Sequence, residues 1–292
     1  MKLGVFADLH WSVAPKMPAG FHAPYDFDGL AARCVATVET LVAHGCELLV
    51  VAGDLTHDGD AASCEAALAC VMSASPVPVA VVEGNHDVLL DGTLLARRTV
   101  VRDGWRRAAA LADEQLVALR AVGVERGDRW ARERGIGSPP GPAPAHCLAT
   151  VVVSHFPLVP HAERLADAGL PLPGELAERD ELLRLLVADL MPTVVLSGHV
   201  HVRDAIGHGN VLQLCVSSLV EAPHEAAVVE LDPFREVVHC RRIGSGGAAA
   251  AARNAEPWLS AFPEERWAFA DGSWTRIEIG AAPRRVLAEV AR

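Results

Sequence analysis

Histidine, aspartate and asparagine side chains recur at five points of the chain, each directly after a short apolar segment. Five of the 13 histidines lie in this set. Imidazole and carboxylate ligands without thiolate favour manganese, iron, zinc, cobalt or nickel over Cu(I) or an iron–sulfur cluster. The residue types therefore predict a divalent metal site. The residues are Asp8 and His10, then Asp54, then Asn85 with His86 and Asp87, then His155, and finally His199 with His201.

The set contains enough ligands for two ions. The spacing of the D-x-H and H-x-H pairs sends alternate side chains the same way, so each pair could serve one ion or be divided between two. The division that we favour gives one ion Asp8, His10 and His201, gives the other Asn85, His155 and His199, and lets Asp54 bridge them through its separate oxygens.

Two metal ions roughly 3.5–4 Å apart can clamp a phosphoryl group and deprotonate an attacking water. Two divalent ions outweigh the charge of the two aspartates, so the site would attract a phosphate. His86 is not needed as a ligand, and we expect it to protonate or hydrogen-bond the leaving-group oxygen, with Asp87 orienting its ring. His57 could hydrogen-bond near the site or begin the helix after the second motif, and we favour the helix start. We assign no role to the loop residue His161.

The apolar segments before the five points have the length and composition of strands buried on both faces. Apolar residues at helical spacing lie between them. This alternation predicts an α/β fold with a mostly parallel sheet, whose carboxy-terminal strand ends share one edge and bring the five points together. The predicted strands are Leu3–Ala7, Leu48–Ala52, Val77–Val82, Ala149–Val153 and Thr193–Leu196. The predicted helices are Asp28–His44, Ala61–Ser75, Gly104–Val122 and Asp180–Leu190.

The later part of the chain has a different pattern. Beyond residue 205, closely spaced strands at Val211–Val216, Ala226–Leu231 and Val237–Arg242 suit hairpins and allow a second sheet packed on the first. We expect a main domain over 1–245, within which 88–147 is an insertion that shapes the substrate site. Residues 246–292 are expected to form an extension packed on the main domain, because they carry Trp258, Trp267 and Trp274.

Composition limits the classes of function. The 292 residues are 51% apolar and 22% charged, with a net charge of −11. No apolar run reaches the roughly 18–20 residues of a membrane span, and the acidic balance argues against capture of nucleic acid by bulk charge. Seven cysteines without a CxxC pair suggest reduced thiols, and the first residues do not resemble a targeting segment. We therefore expect a cytoplasmic protein that does not act on membranes, and we leave its oligomeric state open.

The ordered series D-x-H, GD, GNHD, H and GHxH resembles the calcineurin-like metallophosphoesterase superfamily over about residues 1–240. The resemblance implies a four-layer α/β/β/α sandwich with a dinuclear metal site at the carboxy-terminal strand edge. It also implies the ligand division given above and a bridging hydroxide that attacks phosphorus directly. Manganese is the expected metal, with iron, zinc, cobalt or nickel as alternatives.

Departures from particular branches of the superfamily narrow the resemblance. Asp87 stands where the protein serine/threonine phosphatases have glutamate, and His57 stands where the purple acid phosphatases have a tyrosine ligand. His86 stands where the lipid A pathway hydrolases have arginine. What remains resembles the broad bacterial phosphodiesterase branch.

These observations predict a phosphodiesterase acting on a small nucleotide-like or other small-molecule substrate. A phosphomonoesterase acting on a small metabolite is the main alternative, because the same metal clamp serves both reactions. A nuclease is disfavoured because no basic track for a nucleic-acid backbone is evident. A non-catalytic scaffold is disfavoured because the chain keeps every motif.

Overall fold

A computed structural model describes residues 1–13, 21, 24–89, 92–93, 95, 98–122, 133–134, 143–171, 174–244 and 263–279. The helices are α1 (Leu30–Ala43), α2 (Ala61–Ala74), α3 (Thr99–Glu114), α4 (Ala162–Asp167) and α5 (Arg179–Ala188). The strands are β1 (Lys2–Phe6), β2 (Leu48–Ala52), β3 (Val79–Val82), β4 (Val88–Leu89), β5 (Gly92–Thr93), β6 (Val117–Val122), β7 (Glu133–Arg134), β8 (Ala149–Ser154), β9 (Glu175–Leu176), β10 (Thr193–Ser197), β11 (Asp204–His208), β12 (Val211–Cys215), β13 (Glu225–Asp232), β14 (Val237–Gly244), β15 (Glu264–Ala270) and β16 (Ser273–Ile277).

Two sheets pack face to face. The larger has the order β16-β15-β14-β13-β1-β2-β3, and the smaller has the order β11-β12-β10-β8-β6. Strands β1, β2 and β3 are parallel, as are β12, β10, β8 and β6. β4 with β5 and β7 with β9 form separate short pairs. The predicted α/β class and the sandwich implied by the resemblance are confirmed.

Alternate residues of the central strands face opposite ways, which explains why their sequences are apolar throughout. In β1 and β2, Val5 and Val50 join the core between the sheets, whereas Phe6 and Val51 pack with apolar residues of α1 and α2. In β8, Val153 faces the same inner core. The outward-facing residues of β8 and β10 pack with α5, so helices cover the outer face of each sheet.

The simplest interpretation of the sequence placed all the parallel strands in one sheet, but the structure divides them between two sheets. The strands before the first three motifs lie in the larger sheet, and the strands before the last two lie in the smaller. A strand buried on both faces has the same composition in either sheet, so its pattern cannot say which sheet it joins. The five points still meet, because the carboxy-terminal ends of both parallel sets lie at one end of the sandwich.

The helix predicted over Gly104–Val122 is wrong in its second half. α3 ends at Glu114, and a turn with Leu116 in the left-handed region (φ 60°) leads into β6. β6 then pairs in parallel with β8 as the edge strand of the smaller sheet. α3 packs against both β3 and β6 and so closes one side of the sandwich. Residues 99–122 of the predicted insertion are therefore part of the sandwich itself.

The two strands nearest the carboxy end extend the larger sheet, since β15 pairs with β14 and β16 pairs with β15. Trp267 and Trp274 are buried in the core between the sheets. Trp258, most of the loop 135–145 and most of the glycine- and alanine-rich run 244–252 lie outside the described residues. None of the helices in the described part of the chain is long and apolar enough to cross a membrane.

Candidate metal centre

The chain turns sharply after several of the strands, at the positions of the predicted ligands. Asp8, His10, Asp54, His199 and His201 all have positive φ values, between 46° and 68°. Residues other than glycine rarely adopt this left-handed region, and such strain clusters at functional sites. Five of the seven predicted ligands therefore have a backbone conformation that costs free energy and is held in place by the surrounding fold.

Two glycines of the motifs are required by close packing. A Cβ atom at Gly84 would lie 2.0 Å from Asp54 Oδ1, and one at Gly198 would lie 2.5 Å from Asp8 Oδ2. Only a residue without a side chain allows the backbone to approach the carboxylates this closely. The glycines in GNHD and GHxH thus have a steric function beside the two aspartates.

The three residues predicted to bind the first metal ion lie close together in the structure. Ligand atoms of Asp8, His10 and His201 all lie within 4.8 Å of one another, and the three residues are buried. His201 Nε2 is 3.3 Å from His10 Nε2 and 3.4 Å from Asp8 Oδ1. Two imidazole nitrogens and a carboxylate oxygen thus converge on one point.

The second predicted set lies beside the first. His155 Nε2 is 3.1 Å from Asn85 Oδ1, and both residues are buried. The ring of His199 lies next to that of His155, with 5.0 Å between the ring centroids. The structure therefore brings together all seven residues predicted as ligands, although assignment of an ion to each set stays a prediction.

Asp54 lies between the two sets. Its Oδ2 is 3.6 Å from His10 Nε2 and 3.3 Å from His155 Nε2. Its Oδ1 accepts a hydrogen bond from the backbone N–H of His86 at 2.9 Å. Oδ2 thus lies near a histidine of each set while Oδ1 binds the third motif, so we revise the expected bridge from two separate oxygens to Oδ2, and the bridge itself stays a prediction.

Hydrogen bonds at the opposite ring nitrogens fix the tautomers of three of the histidines. His155 Nδ1 donates to the carbonyl of Ala52 (2.9 Å), and His199 Nε2 donates to the carbonyl of Gly174 (3.2 Å). His201 Nδ1 lies 2.5 Å from Glu221 Oε2. A histidine that binds a metal usually donates its second ring nitrogen in this way. The ligating nitrogen is then Nε2 in His155 and His201 but Nδ1 in His199.

Carboxylates favour positive charge at two of these rings. Burial alone lowers the pKa of His155, but the nearby carboxylate of Asp54 outweighs burial and raises that pKa to about 9. Burial likewise opposes charge on His201, and Asp8 and Glu221 together raise its pKa to about 10. Because a metal ion competes with protons for the same nitrogens, a divalent cation can take the place of these protons.

The other two histidines stay neutral. The pKa values of His10 and His199 lie well below 6.5, first because the rings are buried and then because neighbouring imidazoles repel a second positive charge. Neutral imidazole is the form that binds metals. Buried nitrogen and oxygen donors, with two aspartates to balance charge, fit divalent ions of the manganese-to-zinc series.

The third motif differs from expectation in how His86 is held. Its Nδ1 donates to the carbonyl of His57 at 2.7 Å, so the tautomer with a proton on Nδ1 is fixed. The carboxylate of Asp87 instead accepts bonds from the backbone of Leu55, Thr56 and Gly84, at 2.8–3.0 Å, and from the Thr56 hydroxyl. The expected orientation of His86 by Asp87 is therefore wrong, because main-chain donors of the second and third motifs surround that carboxylate.

Sequence reasoning missed two residues of the site and favoured the wrong one of two interpretations for a third. Glu221 is buried and pairs with His201, and the chain's one tyrosine, Tyr25, has its ring centroid 5.0 Å from that of His10. His57, interpreted as a helix start, places its Nδ1 3.4 Å from His10 Nδ1. The signals available were an acidic residue inside the apolar segment SSLVEA and a tyrosine that occurs once.

His161 has a different environment from the ligand histidines. It is buried, its Nδ1 donates to the carbonyl of Val159, and its Nε2 lies 3.3 Å from Asp204 Oδ2 and 3.2 Å from Cys215 Sγ. Asp204 also accepts two hydrogen bonds from Arg164. This network joins the start of α4 to β11 and β12. The loop residue His22, and Arg97 shortly after the third motif, lie outside the described residues.

The Glu221→Gln variant should bind Mn²⁺ about 10–100-fold more weakly, because outer partners of ligand histidines contribute that much to affinity. Glutamine loses the charge that holds the proton on His201 Nδ1 and so makes Nε2 a poorer ligand. Titration calorimetry with Mn²⁺ measures the effect. Glu47→Gln, an exposed carboxylate beside the amino end of β1, is the control. Equal Mn²⁺ affinity in all three proteins would contradict the role given to Glu221.

Comparisons with known proteins found a family model and several solved structures that match this chain. A family model described as calcineurin-like phosphoesterase matches residues 1–203. The structure of a dimetal phosphatase from Danio rerio is 15% identical in sequence and has a TM-score of 0.53. The match covers 84% of this chain and 96% of that protein. At this identity the likeness shows the fold alone. A purple acid phosphatase from yellow lupin also matches, with 13% identity and a TM-score of 0.46, covering 84% of this chain and 52% of its own. An archaeal phosphodiesterase matches with 13% identity and a TM-score of 0.39, covering 84% of this chain and 99% of its own. A search of curated proteins finds no match.

Proposed function

The chain belongs to the calcineurin-like phosphoesterase family, and from that premise we propose that it hydrolyses a phosphodiester of a small nucleotide-like or other small molecule with two divalent metal ions. The family supports a metal-dependent phosphoester hydrolase. The diester preference, the pair of ions and manganese as the native metal are our proposals, and the cytoplasmic location stays a prediction.

The observation that carries the proposal is the position of Asp54. One of its carboxylate oxygens lies within 3.6 Å of a ring nitrogen from each ligand set. A single oxygen between two groups of buried donors suits a pair of ions that share it. A single ion would leave the buried donors of one set without a cation to compensate their loss of water.

The residues divide into those that hold the metals and one that handles a proton. Bound divalent ions would supply Lewis acidity to a phosphoryl oxygen and lower the pKa of the attacking water. On the side of the phosphorus atom opposite the attacking water, His86 assists the leaving group: its Nε2 donates a proton or hydrogen bond to the departing oxygen. The main-chain carbonyl of His57 keeps that ring in one orientation, so the proton is presented at a fixed place.

The charge of the site supports a diester over a monoester. The side chains described above around the two ligand sets are histidines, carboxylates, an asparagine and a tyrosine, with no lysine or arginine among them. A phosphomonoester near neutral pH carries up to one more negative charge than a diester, and no side chain of this group compensates that extra charge. The singly charged diester fits the group better.

Hydrolysis of bis-para-nitrophenyl phosphate and para-nitrophenyl phosphate tests the proposal. With Mn²⁺ the diester should be hydrolysed faster than the monoester, and a chelator should abolish the reaction until Mn²⁺ is restored. A faster monoester would replace the proposal with a phosphomonoesterase. Absence of metal-dependent hydrolysis of either compound would contradict the enzymatic function.

A further inference from the structure

A pocket of about 350 Å³ opens beside the metal centre, between the ends of β3 and β6 and the first turns of α3. It is separate from the ligand sets and from the hydrogen bonds that position them. Its lining includes Val82, Glu83, Val101, Arg102, Trp105 and Ala121.

The pocket's place follows from the strand register. Glu83 directly precedes Gly84 and Asn85, so one wall continues into the third motif. On the other side, Ala121 of β6 pairs with Val153 of β8, two residues before His155. Adjacent strands lie about 4.8 Å apart, so the pocket begins one strand away from a predicted ligand. It flanks the half of the site formed by Asn85 and His155.

The pocket has the composition of a small-molecule subsite, with apolar walls and a few polar groups. Val82 and Val101 are buried aliphatic residues, and the Trp105 indole forms an aromatic wall. Trp105 Nε1 donates to the carbonyl of Val81 at 2.6 Å, which fixes the plane of the ring before any ligand arrives. Glu83 and Arg102 add a carboxylate and a guanidinium to the lining. A fixed aromatic face among aliphatic side chains suits a flat, apolar group.

We propose that this pocket holds an aromatic ring of the phosphate ester, a nucleobase or an aryl group, while the phosphate lies at the metal centre. The inference rests on the proposed function, since the pocket selects a substrate only if the neighbouring site binds the phosphate. Stacking against an aromatic side chain contributes enough binding free energy to matter for a small ester. Trp105 is thus a specificity-determining residue.

Two phosphonates that cannot be hydrolysed test the inference by binding alone. Phenylphosphonate and methylphosphonate share the metal-binding group and differ in the ring. Calorimetry is done at about pH 6, where both phosphonates carry mainly the single negative charge of a phosphodiester. On the Mn²⁺-loaded protein it should give phenylphosphonate about tenfold tighter binding, as expected for one stacked ring. Ala121→Phe, at an exposed position of the pocket, fills the space and should reduce that ratio to about twofold or less, with methylphosphonate affinity unchanged. Trp105→Leu should reduce the ratio in the same way by removing the aromatic face.

The control is Val100→Phe, which adds an aromatic residue to the exposed side of α3 next to the pocket residue Val101 and should keep the wild-type ratio. Equal affinity of the wild type for both phosphonates overturns the pocket inference and leaves the proposed function intact. A wild-type ratio that survives both Ala121→Phe and Trp105→Leu overturns it as well. Failure of the Mn²⁺-loaded wild type to bind either phosphonate contradicts the proposed function instead.

Discussion

Replacement of Asp54 with alanine is expected to remove at least one of the two proposed metal ions and to lower diester hydrolysis far beyond the roughly 10–100-fold loss typical of an outer partner. The variant loses the one oxygen that faces both ligand sets. It also loses the acceptor that binds the backbone N–H of His86. Both the shared ligand and the anchor of the third motif therefore disappear together.

Asp54→Asn separates these two effects. Asparagine keeps an oxygen that can accept from the His86 N–H but removes the negative charge that lies between the ions. Metal content per chain, measured by mass spectrometry after equilibration with Mn²⁺, should fall in both variants. Thermal stability of the apoprotein should fall further in Asp54→Ala than in Asp54→Asn, because both variants lose the charge beside His155 but only Asp54→Ala also loses the acceptor for the His86 N–H. Asp58→Ala, an exposed aspartate in the same loop, is the matched control. Two ions bound at wild-type affinity in Asp54→Asn would show that Asp54 is not shared.

The sequence was informative where local pattern decides the structure. Five apolar segments became strands within two residues of their predicted bounds, because a strand buried on both faces has a composition that few other elements share. The turn residues after each strand identified the edge where the site lies. The seven predicted ligands converge there, although residues as far apart as Asp8 and His201 depend on the whole fold to meet.

The local sequence pattern could not predict features that depend on packing between distant parts of the chain. The segment Val117–Val122 has an apolar spacing that continues the preceding helix, yet it pairs with β8 because an open edge of the smaller sheet lies beside it. Glu221 acquires its role only through the burial of His201 against it. The pattern of a single sequence carries no information about either the pairing of β6 with β8 or the contact between Glu221 and His201. Both were therefore found only in three dimensions.

The error about Asp87 has a similar cause. Adjacency to His86 suggested that the carboxylate orients the ring, but neighbouring side chains on a turn point different ways. Asp87 is buried beneath the second and third motifs, and its bonds to Leu55, Thr56 and Gly84 tie the two loops together. Burial and then the nearby charge of Asp54 raise its pKa to about 6. The contribution of Asp87 is thus to hold the loops that position His86 and Asp54.

The His86→Ala variant should lower turnover of an alkyl diester by about 10²–10⁴-fold, the usual contribution of a positioned general acid, while metal content stays near that of the wild type. His86 stands beside the ligand sets, and its Nδ1 is bonded to a main-chain carbonyl, so removal of its ring takes away a proton donor rather than a predicted ligand. The backbone N–H that binds Asp54 remains in the variant.

Leaving-group dependence distinguishes proton donation from a structural role. Nitrophenolate departs easily without a proton, whereas an alkoxide does not, so His86→Ala should lose more activity toward an alkyl diester than toward bis-para-nitrophenyl phosphate. His86→Gln, which can donate a hydrogen bond but cannot transfer a proton, should recover part of the loss for the nitrophenyl ester only. Equal losses for both leaving groups would show that His86 does not donate a proton to the departing oxygen. Release of both metal ions from His86→Ala would instead assign His86 to the metal site.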